Sequence, residues 1–316
     1  MVAYYSFDNC DAVDESGNGS DGQILGSPNC VCGVSGNALE LDGVNDHVIF
    51  LGIVNNYFDE GNFAISFYFK SFGSPFPQDI LSKREDCTPN NSFNVNFIPN
   101  QNAINNVLGE SPSKIAEAQG ILDFDNCWHH VVITRRGGFT FLYLDGILTD
   151  EEQVISRIDM TNNGVLSLAD SPCLGLNANR FKGYFDELTV YSRHLLEEDV
   201  EQLYIKPDQI ANADTLIYLG GEVETYTTNT CATNFEWFPK TGVTDTLSAN
   251  TTLSPTETTT YQLNFTDANG CTATDEIVVT VIDPSQLDCS QIFVPKAFTP
   301  NGVGPGVNET IGISNP

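Results

Sequence analysis

The chain has 316 residues, and 13 lysine and arginine residues against 42 aspartate and glutamate residues give it a formal net charge of −29. A surface of this charge repels nucleic-acid phosphates and anionic lipid headgroups, so nucleic acid is excluded as a partner, whereas divalent cations are attracted. No stretch approaches the roughly 20 apolar residues that span a bilayer, so we expect no membrane insertion. The length allows more than one folded domain.

Almost every periodic segment up to residue 192 alternates apolar with other residues, as β-strands do. Turn residues such as Asp-Gly, Gly-Asn and Pro-Asn separate these segments, which predicts an all-β, antiparallel sandwich. One short helix is predicted at 194–204, where Val200, Leu203 and Tyr204 share a face. The predicted strands are "ALELDGVNDHVIF", "FAISFYFKS", "SFNVNFI", "HHVVITR", "FTFLYLDG" and "YFDELTVYS".

Two adjacent histidines in "CWHHVVITRRGGFTFLYLDG" suggest a catalytic or metal site at first sight. Successive side chains of a strand point to opposite faces, so His129 and His130 cannot both reach one metal ion. We interpret the stretch as a β-hairpin that ends at the Asp145-Gly146 turn. One histidine should then face the core, and the other should face solvent.

A second β domain follows the first. The polar segment "KPDQIANADT" has no apolar period and contains Pro207, which indicates a linker. Beyond it the composition shifts to threonine, and the strand spacing is typical of an immunoglobulin-like sandwich. We predict a first domain at 1–206, a linker at 207–215, an Ig-like domain at 216–283 and the truncated start of a third domain at 284–316.

Nine cysteines show neither paired CxxC spacing nor a companion His cluster, which favours disulfides in an oxidising compartment over zinc. Cys30 and Cys32 are too close to pair with each other, so we expect one of them to bond Cys10 and the other a distant cysteine such as Cys173. The other expected pairs are Cys87 with Cys127 and Cys231 with Cys271. Cys289 is then left over, and its partner is expected in sequence outside this chain.

Several motifs together resemble the laminin-G-like, concanavalin A-type jelly roll of extracellular proteins. The resemblance covers residues 3–204 and implies that the Trp-His-His stretch is a scaffold strand. The second domain, with "FEWFP" and "TTTYQLNFTDANGCTATDEIVVTV", resembles polycystic-kidney-disease-type (PKD) Ig-like repeats of bacterial surface proteins. The tail "FTPNGVGPGVNE" resembles the start of the gliding-motility-associated domain of Bacteroidetes, a type IX secretion signal, although Val303 replaces its usual Asp. The jelly-roll motifs are "YYSFD", "DESGNGSDG", "GNALELDGVNDHVIF", "WHHVVITR", "FLYLDG" and "FKGYFDELTVYSRHLLEEDVEQLY".

The acidic loop "FDNCDAVDESGNGSDG" contains the oxygen-bearing, glycine-rich material that calcium sites use. It is not an EF-hand, because the bidentate glutamate at the twelfth position is missing. The jelly-roll resemblance implies a structural Ca²⁺ that joins this loop to the last strand through "FDEL". The expected ligands are Asp8, Asn18, Asp21 and Glu187, with Asp186 and Asp42 as further candidates.

Catalysis has little support, because the sequence contains no G-x-S-x-G, H-E-x-x-H or P-loop motif and no E-x-D-x-x-E run of strand carboxylates. Binding residues in sandwich domains usually lie on loops, where aromatic rings can stack on sugars and polar neighbours can hydrogen-bond their hydroxyls. The loop candidates for ligand binding are Tyr57, Phe58, Phe72, Phe76, Arg84 and Asp86.

We therefore predict a non-enzymatic, extracellular or cell-surface adhesin segment of a bacterium, stabilised by calcium. Its jelly-roll loops would bind a glycan or protein, and its Ig-like domain would act as a spacer. One alternative is a glycoside hydrolase or its accessory carbohydrate-binding part, since the concanavalin A-like fold also hosts glycosidases. A second alternative is a structural subunit of a surface filament.

Overall fold

A computed structural model describes residues 1–123, 125–176 and 178–286. Nearly half of the described chain is β-strand and only two 3-10 helices and one short α-helix accompany it, which confirms the predicted all-β class. The first sixteen strands, in chain order, are β1 (Ala3–Tyr5), β2 (Gly22–Leu25), β3 (Asn29–Cys32), β4 (Asn37–Asp42), β5 (His47–Phe50), β6 (Phe63–Ser71), β7 (Gln78–Lys83), β8 (Ser92–Ile98), β9 (Ala103–Ser111), β10 (Lys114–Ile121), β11 (His129–Arg136), β12 (Phe139–Leu144), β13 (Ile147–Gln153), β14 (Leu166–Leu168), β15 (Asn179–Arg180) and β16 (Lys182–Tyr191).

These strands form two eight-stranded sheets, in which nearly all neighbouring strands are antiparallel. The first sheet has the order β13-β12-β11-β6-β16-β4-β3, and β1 pairs with β16. The second has the order β10-β9-β8-β7-β14-β5-β2, and β15 pairs in parallel with β7. The segment predicted as one strand at 38–50 is in fact two, because β4 joins the first sheet and β5 the second. The predicted hairpin is confirmed as β11 and β12, joined at Gly137-Gly138.

The core fills the space between the sheets and is rich in aromatic rings. Strand β8 shows how the sequence specifies it, because Phe93, Val95 and Phe97 point inward and are buried while Ser92, Asn94 and Asn96 alternate with them on the other face. Replacing a buried phenylalanine of this kind by alanine costs about 3 to 5 kcal/mol. The core therefore fixes the register of the whole sheet.

A short helix, α1 (Glu197–Leu203), covers the outer face of the first sheet. It begins later than the sequence predicted, because the Asp199 carboxylate accepts the Leu196 N–H at 2.8 Å and pairs with the Arg193 guanidinium at 2.7 Å. Val200 is buried in a small apolar cluster with Leu195. A 3-10 helix at Gly52–Tyr57 follows β5.

Residues beyond the helix build a second core of their own, around Trp237, Tyr261 and Phe265. Ile210, in the predicted linker, is buried in this core, and its N–H donates to Asp275 at 2.8 Å. The strands are β17 (Thr215–Tyr218), β18 (Val223–Glu224), β19 (Ala232–Phe238), β20 (Thr252–Leu253), β21 (Thr259–Asp267) and β22 (Thr272–Ile282), in sheets of order β17-β22-β21-β19 and β18-β20. A 3-10 helix follows at Pro284–Gln286. The predicted sorting-type segment beyond it, with Cys289, lies outside the described residues.

Disulfide pairing differs from the expected pattern. A bond between Cys10 and Cys30 agrees with one expected pair, but the expected bonds of Cys87 to Cys127, of Cys231 to Cys271 and of Cys173 to Cys30 or Cys32 are wrong. The reason is that folding brings together cysteines that are far apart in sequence, by 86 to 199 residues for the other three bonds. The four bonds are Cys10–Cys30, Cys32–Cys231, Cys87–Cys173 and Cys127–Cys271.

Two of these disulfides join the sandwich of residues 3–204 to the second core. Between them, the Lys70 ammonium pairs with the Asp267 carboxylate, and the Lys70 side chain is only 1% exposed. The Asn229 side-chain amide donates to the Val34 carbonyl at 3.0 Å. The contact therefore combines covalent, ionic and hydrogen-bonded links.

Cutting the backbone between the two parts should not separate them. We expect a chain with a protease site inserted after Lys206 to migrate, once cut, as one species without reductant and as two species with it. Non-reducing peptide mapping should recover the Cys32–Cys231 and Cys127–Cys271 peptides. Separation of the halves without reductant would contradict these pairings.

Candidate functional site

A groove of about 320 Å³ lies on the outer face of the second sheet, above β7, β8 and β9. The same alternation that points phenylalanines into the core points polar side chains into this groove. Its walls combine amides, a hydroxyl, an ion pair and small apolar surfaces. The residues that line the groove are Pro77, Asp79, Arg84, Cys87, Thr88, Pro89, Ser92, Asn94, Asn96, Ile98, Asn105, Val107, Cys173 and Ala178.

A row of one carboxylate and two amides runs across the groove floor, perpendicular to the strands. Asp79, Asn96 and Asn105 are direct neighbours on β7, β8 and β9. The Asn96 amide donates to the Asp79 carboxylate, and the Asn94 amide donates to the Asn96 carbonyl oxygen. Asn105 donates to Glu117 of β10 at 2.9 Å. The floor is therefore an ordered polar surface rather than a set of freely rotating side chains.

Two buried oxygen atoms in the groove have no hydrogen-bond partner among the described residues. They are the Oγ of Ser92, a residue only 1% exposed, and the Oδ1 of Asn105. Buried polar atoms are nearly always hydrogen-bonded, because leaving one unsatisfied costs about 1 to 3 kcal/mol. Within the described part of the chain, these two atoms therefore lack the partner that buried polar atoms normally have.

An ion pair closes one side of the floor. The Arg84 Nη2 lies 3.4 Å from both carboxylate oxygens of Asp79 and donates to the Ser171 Oγ at 3.0 Å. Burial raises the pKa of Asp79, although Ser171 and Arg84 oppose this change, and burial lowers the pKa of Arg84. The two opposite charges largely cancel within the groove.

The rim of the groove is held in place by covalent and hydrogen-bonded contacts. The Cys87–Cys173 disulfide joins the loop after β7 to the loop before β15. Asp86 accepts the Thr88 N–H at 2.8 Å. Gly109 allows the loop to approach β9, because a Cβ there would lie 2.2 Å from the Pro89 carbonyl oxygen. The rim is thus shaped before any ligand arrives.

The structure brings together some of the predicted ligand-binding residues and not others. Arg84 lies in the groove floor, Asp86 supports its rim, and Phe76 is 59% exposed beside it. Tyr57 packs partly against the core, Phe58 belongs to the core, and Phe72 packs edge-on against Tyr184. The sequence reasoning missed Asp79, Ser92, Asn94, Asn96 and Asn105, and the alternation in "SFNVNFI" is the signal that could have found them.

The carboxylates expected to bind calcium mostly accept hydrogen bonds from the backbone. Asp8 accepts the Asn37 N–H at 3.0 Å, Asp21 the Asp14 N–H at 2.9 Å, and Asp42 the Val44 N–H at 2.7 Å in a separate turn. Glu187 accepts the Tyr4 hydroxyl at 2.8 Å. The Asn18 amide donates to the Val2 carbonyl at 2.9 Å.

Asp186 is fully buried and accepts the Val34 N–H at 2.8 Å. Burial and the nearby charge of Glu187 raise the pKa of Asp186 to about 9. Across the described ranges, no three His, Cys, Asp or Glu side chains are grouped so that they could hold one metal ion. Calcium binding by the expected residues stays a prediction of the sequence.

Asp14 organises the acidic loop through hydrogen bonds from the backbone. Its carboxylate accepts the backbone N–H groups of Tyr4 at 3.2 Å, Ser16 at 3.0 Å and Ser20 at 2.9 Å. Burial raises the pKa of Asp14, but the hydrogen bonds from Ser16, Ser20 and Tyr4 outweigh it and lower the pKa below its usual value. The loop is therefore stabilised by backbone donors around one carboxylate.

Removing this carboxylate should destabilise the sandwich whether or not calcium is present. We expect Asp14→Ala to lower the free energy of unfolding by about 3 kcal/mol, because three backbone donors lose a charged partner. The control Asp11→Ala, at a half-buried carboxylate that accepts the Val13 N–H at 3.2 Å, should cost less than about 1 kcal/mol. Denaturant unfolding in calcium and in excess chelator measures both, and a loss confined to the calcium samples would contradict this account.

The two adjacent histidines point to opposite faces, as predicted, but the expectation that one faces solvent is wrong, because both are buried. His129 hydrogen-bonds Asp145 through Nδ1 at 2.9 Å and Asp125 through Nε2 at 3.1 Å, and it lines a small cleft with Phe69. His130 contacts Ser66 at 2.8 Å and stacks on Tyr68. Neither ring can act as a free base, since one is held between carboxylates and the other is buried.

The pKa values of the two rings diverge for physical reasons. Burial lowers the pKa of His129, but the hydrogen bonds and charges of Asp125 and Asp145 outweigh it and raise the value to about 9. Burial lowers the pKa of His130 to about 4. At neutral pH His129 is therefore a cation within an acidic protein, and His130 is neutral.

Stability should fall as the pH rises from about 6.5 to about 9. The pKa of His129 is higher in the folded chain than in the unfolded chain, so the protonated ring stabilises the fold. This stabilisation, at most about 3 kcal/mol, is fully present below the unfolded pKa of about 6.5 and is lost as the pH rises through the folded pKa of about 9. Denaturant unfolding at pH 6 and pH 9 should show this loss in the unmutated chain and in the control His47→Gln, but not in His129→Gln. An equal loss in His129→Gln would contradict the assignment.

Comparison with known proteins agrees with this fold. The family model of the concanavalin A-like lectin/glucanases superfamily (Laminin_G_3) matches residues 42–201, about half of the chain, and the chain belongs to this family. The predicted jelly-roll resemblance is thereby confirmed for that region, whereas the PKD-type and sorting-type resemblances stay predictions. No curated protein matches the chain.

Similar solved structures are distant in sequence and show the fold alone. Domain 4 of the GH43 extracellular arabinanase AbnA from Geobacillus stearothermophilus, in complex with arabinotriose, has a TM-score of 0.50 at 20% identity, covering 64% of this chain and 97% of that one. The receptor-binding domain of botulinum neurotoxin C/D mosaic serotype has a TM-score of 0.57 at 15% identity, covering 85% and 71%. The botulinum neurotoxin DC binding domain in complex with rat synaptotagmin II has a TM-score of 0.56 at 12% identity, and the match covers 86% of this chain and 72% of that one. Each of these is a domain that binds a ligand or is named for binding.

Proposed function

We propose that this chain is the ligand-binding segment of an extracellular or cell-surface protein and that it binds a glycan in the groove above β7, β8 and β9. The single observation behind this proposal is the amide-lined groove with the unpartnered oxygens of Ser92 and Asn105. Sugar hydroxyls both donate and accept hydrogen bonds, and amide side chains offer both kinds of group on a fixed surface.

An extracellular setting is supported by the four disulfides, which persist in oxidising compartments. In the described part of the chain, no helix is long and apolar enough to cross a membrane. The second core, tied to the sandwich by two disulfides, would present the groove at a fixed distance from whatever follows it, as the spacer of an adhesin does. In this proposal calcium, if bound by the acidic loop, would add stability to the sandwich, and the groove would not depend on it.

A second candidate function is that of an accessory carbohydrate-binding part of a glycoside hydrolase. The similarity to domain 4 of an arabinanase favours it, because that domain was found with arabinotriose. The groove carries one carboxylate, Asp79, already paired with Arg84, which does not supply the two facing carboxylates of glycosidases. We therefore propose binding rather than hydrolysis for this chain, with or without an enzyme partner.

Binding should depend on the groove amides. On a glycan array we expect selective binding of one or more glycans by the unmutated chain. Asn94→Ala and Asn105→Ala should each weaken that binding about tenfold in calorimetric titration, because each removes hydrogen bonds worth about 1.4 kcal/mol.

Gln119→Ala is the matched control. Gln119 on β10 is the direct neighbour of Asn105 on β9, but it does not line the groove. It should leave affinity unchanged, and thermal melting should show that all variants fold. Absence of any glycan binding, or hydrolysis of a bound polysaccharide, would contradict the proposal. Capture of a protein ligand that the two asparagine variants still bind would place recognition elsewhere.

A further inference from the structure

The groove continues into an apolar shelf beside it. The shelf, a depression of about 230 Å³, is formed by Phe76, Gly175, Leu176, Ala178 and Asn179, and Ala178 lines both the groove and the shelf. Phe76 is 59% exposed and Leu176 is 74% exposed. Exposed large apolar side chains that adjoin a polar groove are a common sign of a binding surface.

The position of the shelf is fixed by the sheet. Strand β15 pairs with β7, and the Asn179 N–H donates to the Pro77 carbonyl oxygen at 2.8 Å. Pro77 itself lines the groove and directly follows Phe76 in the chain. The Phe76 ring and the groove floor therefore belong to one continuous surface at the start of β7.

We propose that the groove and the shelf are two adjoining subsites for successive units of an uncharged oligosaccharide. The amide floor hydrogen-bonds the hydroxyls of one unit, and the face of the Phe76 ring stacks on the apolar face of the next. This inference rests on the proposed function and extends it from a glycan in general to a neutral chain of at least two sugar units.

The charges of the groove argue for an uncharged ligand. Of the described residues that line the groove, Arg84 is the only one with a positive charge, and Asp79, Ser171 and Ser82 already engage its guanidinium. The Asn105 Oδ1 is an acceptor without a donor among the described residues, so it favours a hydroxyl over a carboxylate or sulfate at its own position. The net charge of −29 adds long-range repulsion of acidic glycans.

Chain length is tested with arabinotriose, xylotriose and cellotriose, each titrated beside its monosaccharide. We expect at least one trisaccharide to bind the full chain at least tenfold more tightly than its monosaccharide. Phe76→Ala should abolish this gain while leaving monosaccharide affinity within twofold, and Phe76→Tyr, which keeps the ring, should retain it. The control Ile155→Ala removes an apolar side chain that is fully exposed and lies outside the groove and shelf. It should change neither the monosaccharide nor the trisaccharide affinity.

Charge is tested with polygalacturonan and its carboxyl-reduced form, which differ in charge but share their linkages. In affinity electrophoresis we expect retardation of the protein by the reduced polymer to exceed that by the acidic one. Stronger binding of the acidic polymer overturns the neutral specificity.

Equal affinity for mono- and trisaccharides, or a trisaccharide gain that persists in Phe76→Ala, overturns the second subsite while the proposed function stands. Failure of every probe, confirmed on the glycan array, overturns both.

Discussion

The period-two alternation of strand β8 is the constraint on which both the core and the groove depend. Phe93, Val95 and Phe97 fill the space between the sheets, and the residues between them necessarily face the opposite side. A slip of one residue would bury the amides and expose two phenylalanine rings and a valine, which the apolar core forbids. The energy that holds the sandwich together therefore also holds Asn94 and Asn96 in the groove floor.

The fold was predictable because its signal is local. Alternation in "FAISFYFKS" and "HHVVITR" identifies strands without any tertiary information, and it also places His129 and His130 on opposite faces. The groove was harder to predict, since it is assembled from β7, β8 and β9, and only the sheet register brings Asp79, Asn96 and Asn105 side by side. Loop aromatics were the expected binding residues, yet Phe58, directly after the 3-10 helix Gly52–Tyr57, proved to be core, because an apolar ring in a loop can turn inward as easily as outward.

Disulfide pairing was the least predictable feature. It depends on distances between groups that are remote in sequence, such as the 199 residues between Cys32 and Cys231. The partners of Asp14 in the 7–22 loop were equally hidden, because its carboxylate accepts hydrogen bonds from three backbone donors. Backbone N–H groups are present at every position except proline, so their role as partners leaves no mark in the composition.

The bonds Cys32–Cys231 and Cys127–Cys271 also determine how the chain would carry tension. A pull applied at β22 and resisted at the groove would pass through Cys271 to Cys127 and bypass the peptide segment between them. Helix α1 and the segment after it, at 205–215, lie within that bypassed span and would bear little of the load. Extension of the chain under tension would therefore be shorter than its length predicts, because the residues between Cys127 and Cys271 lie outside the covalent path that carries the pull.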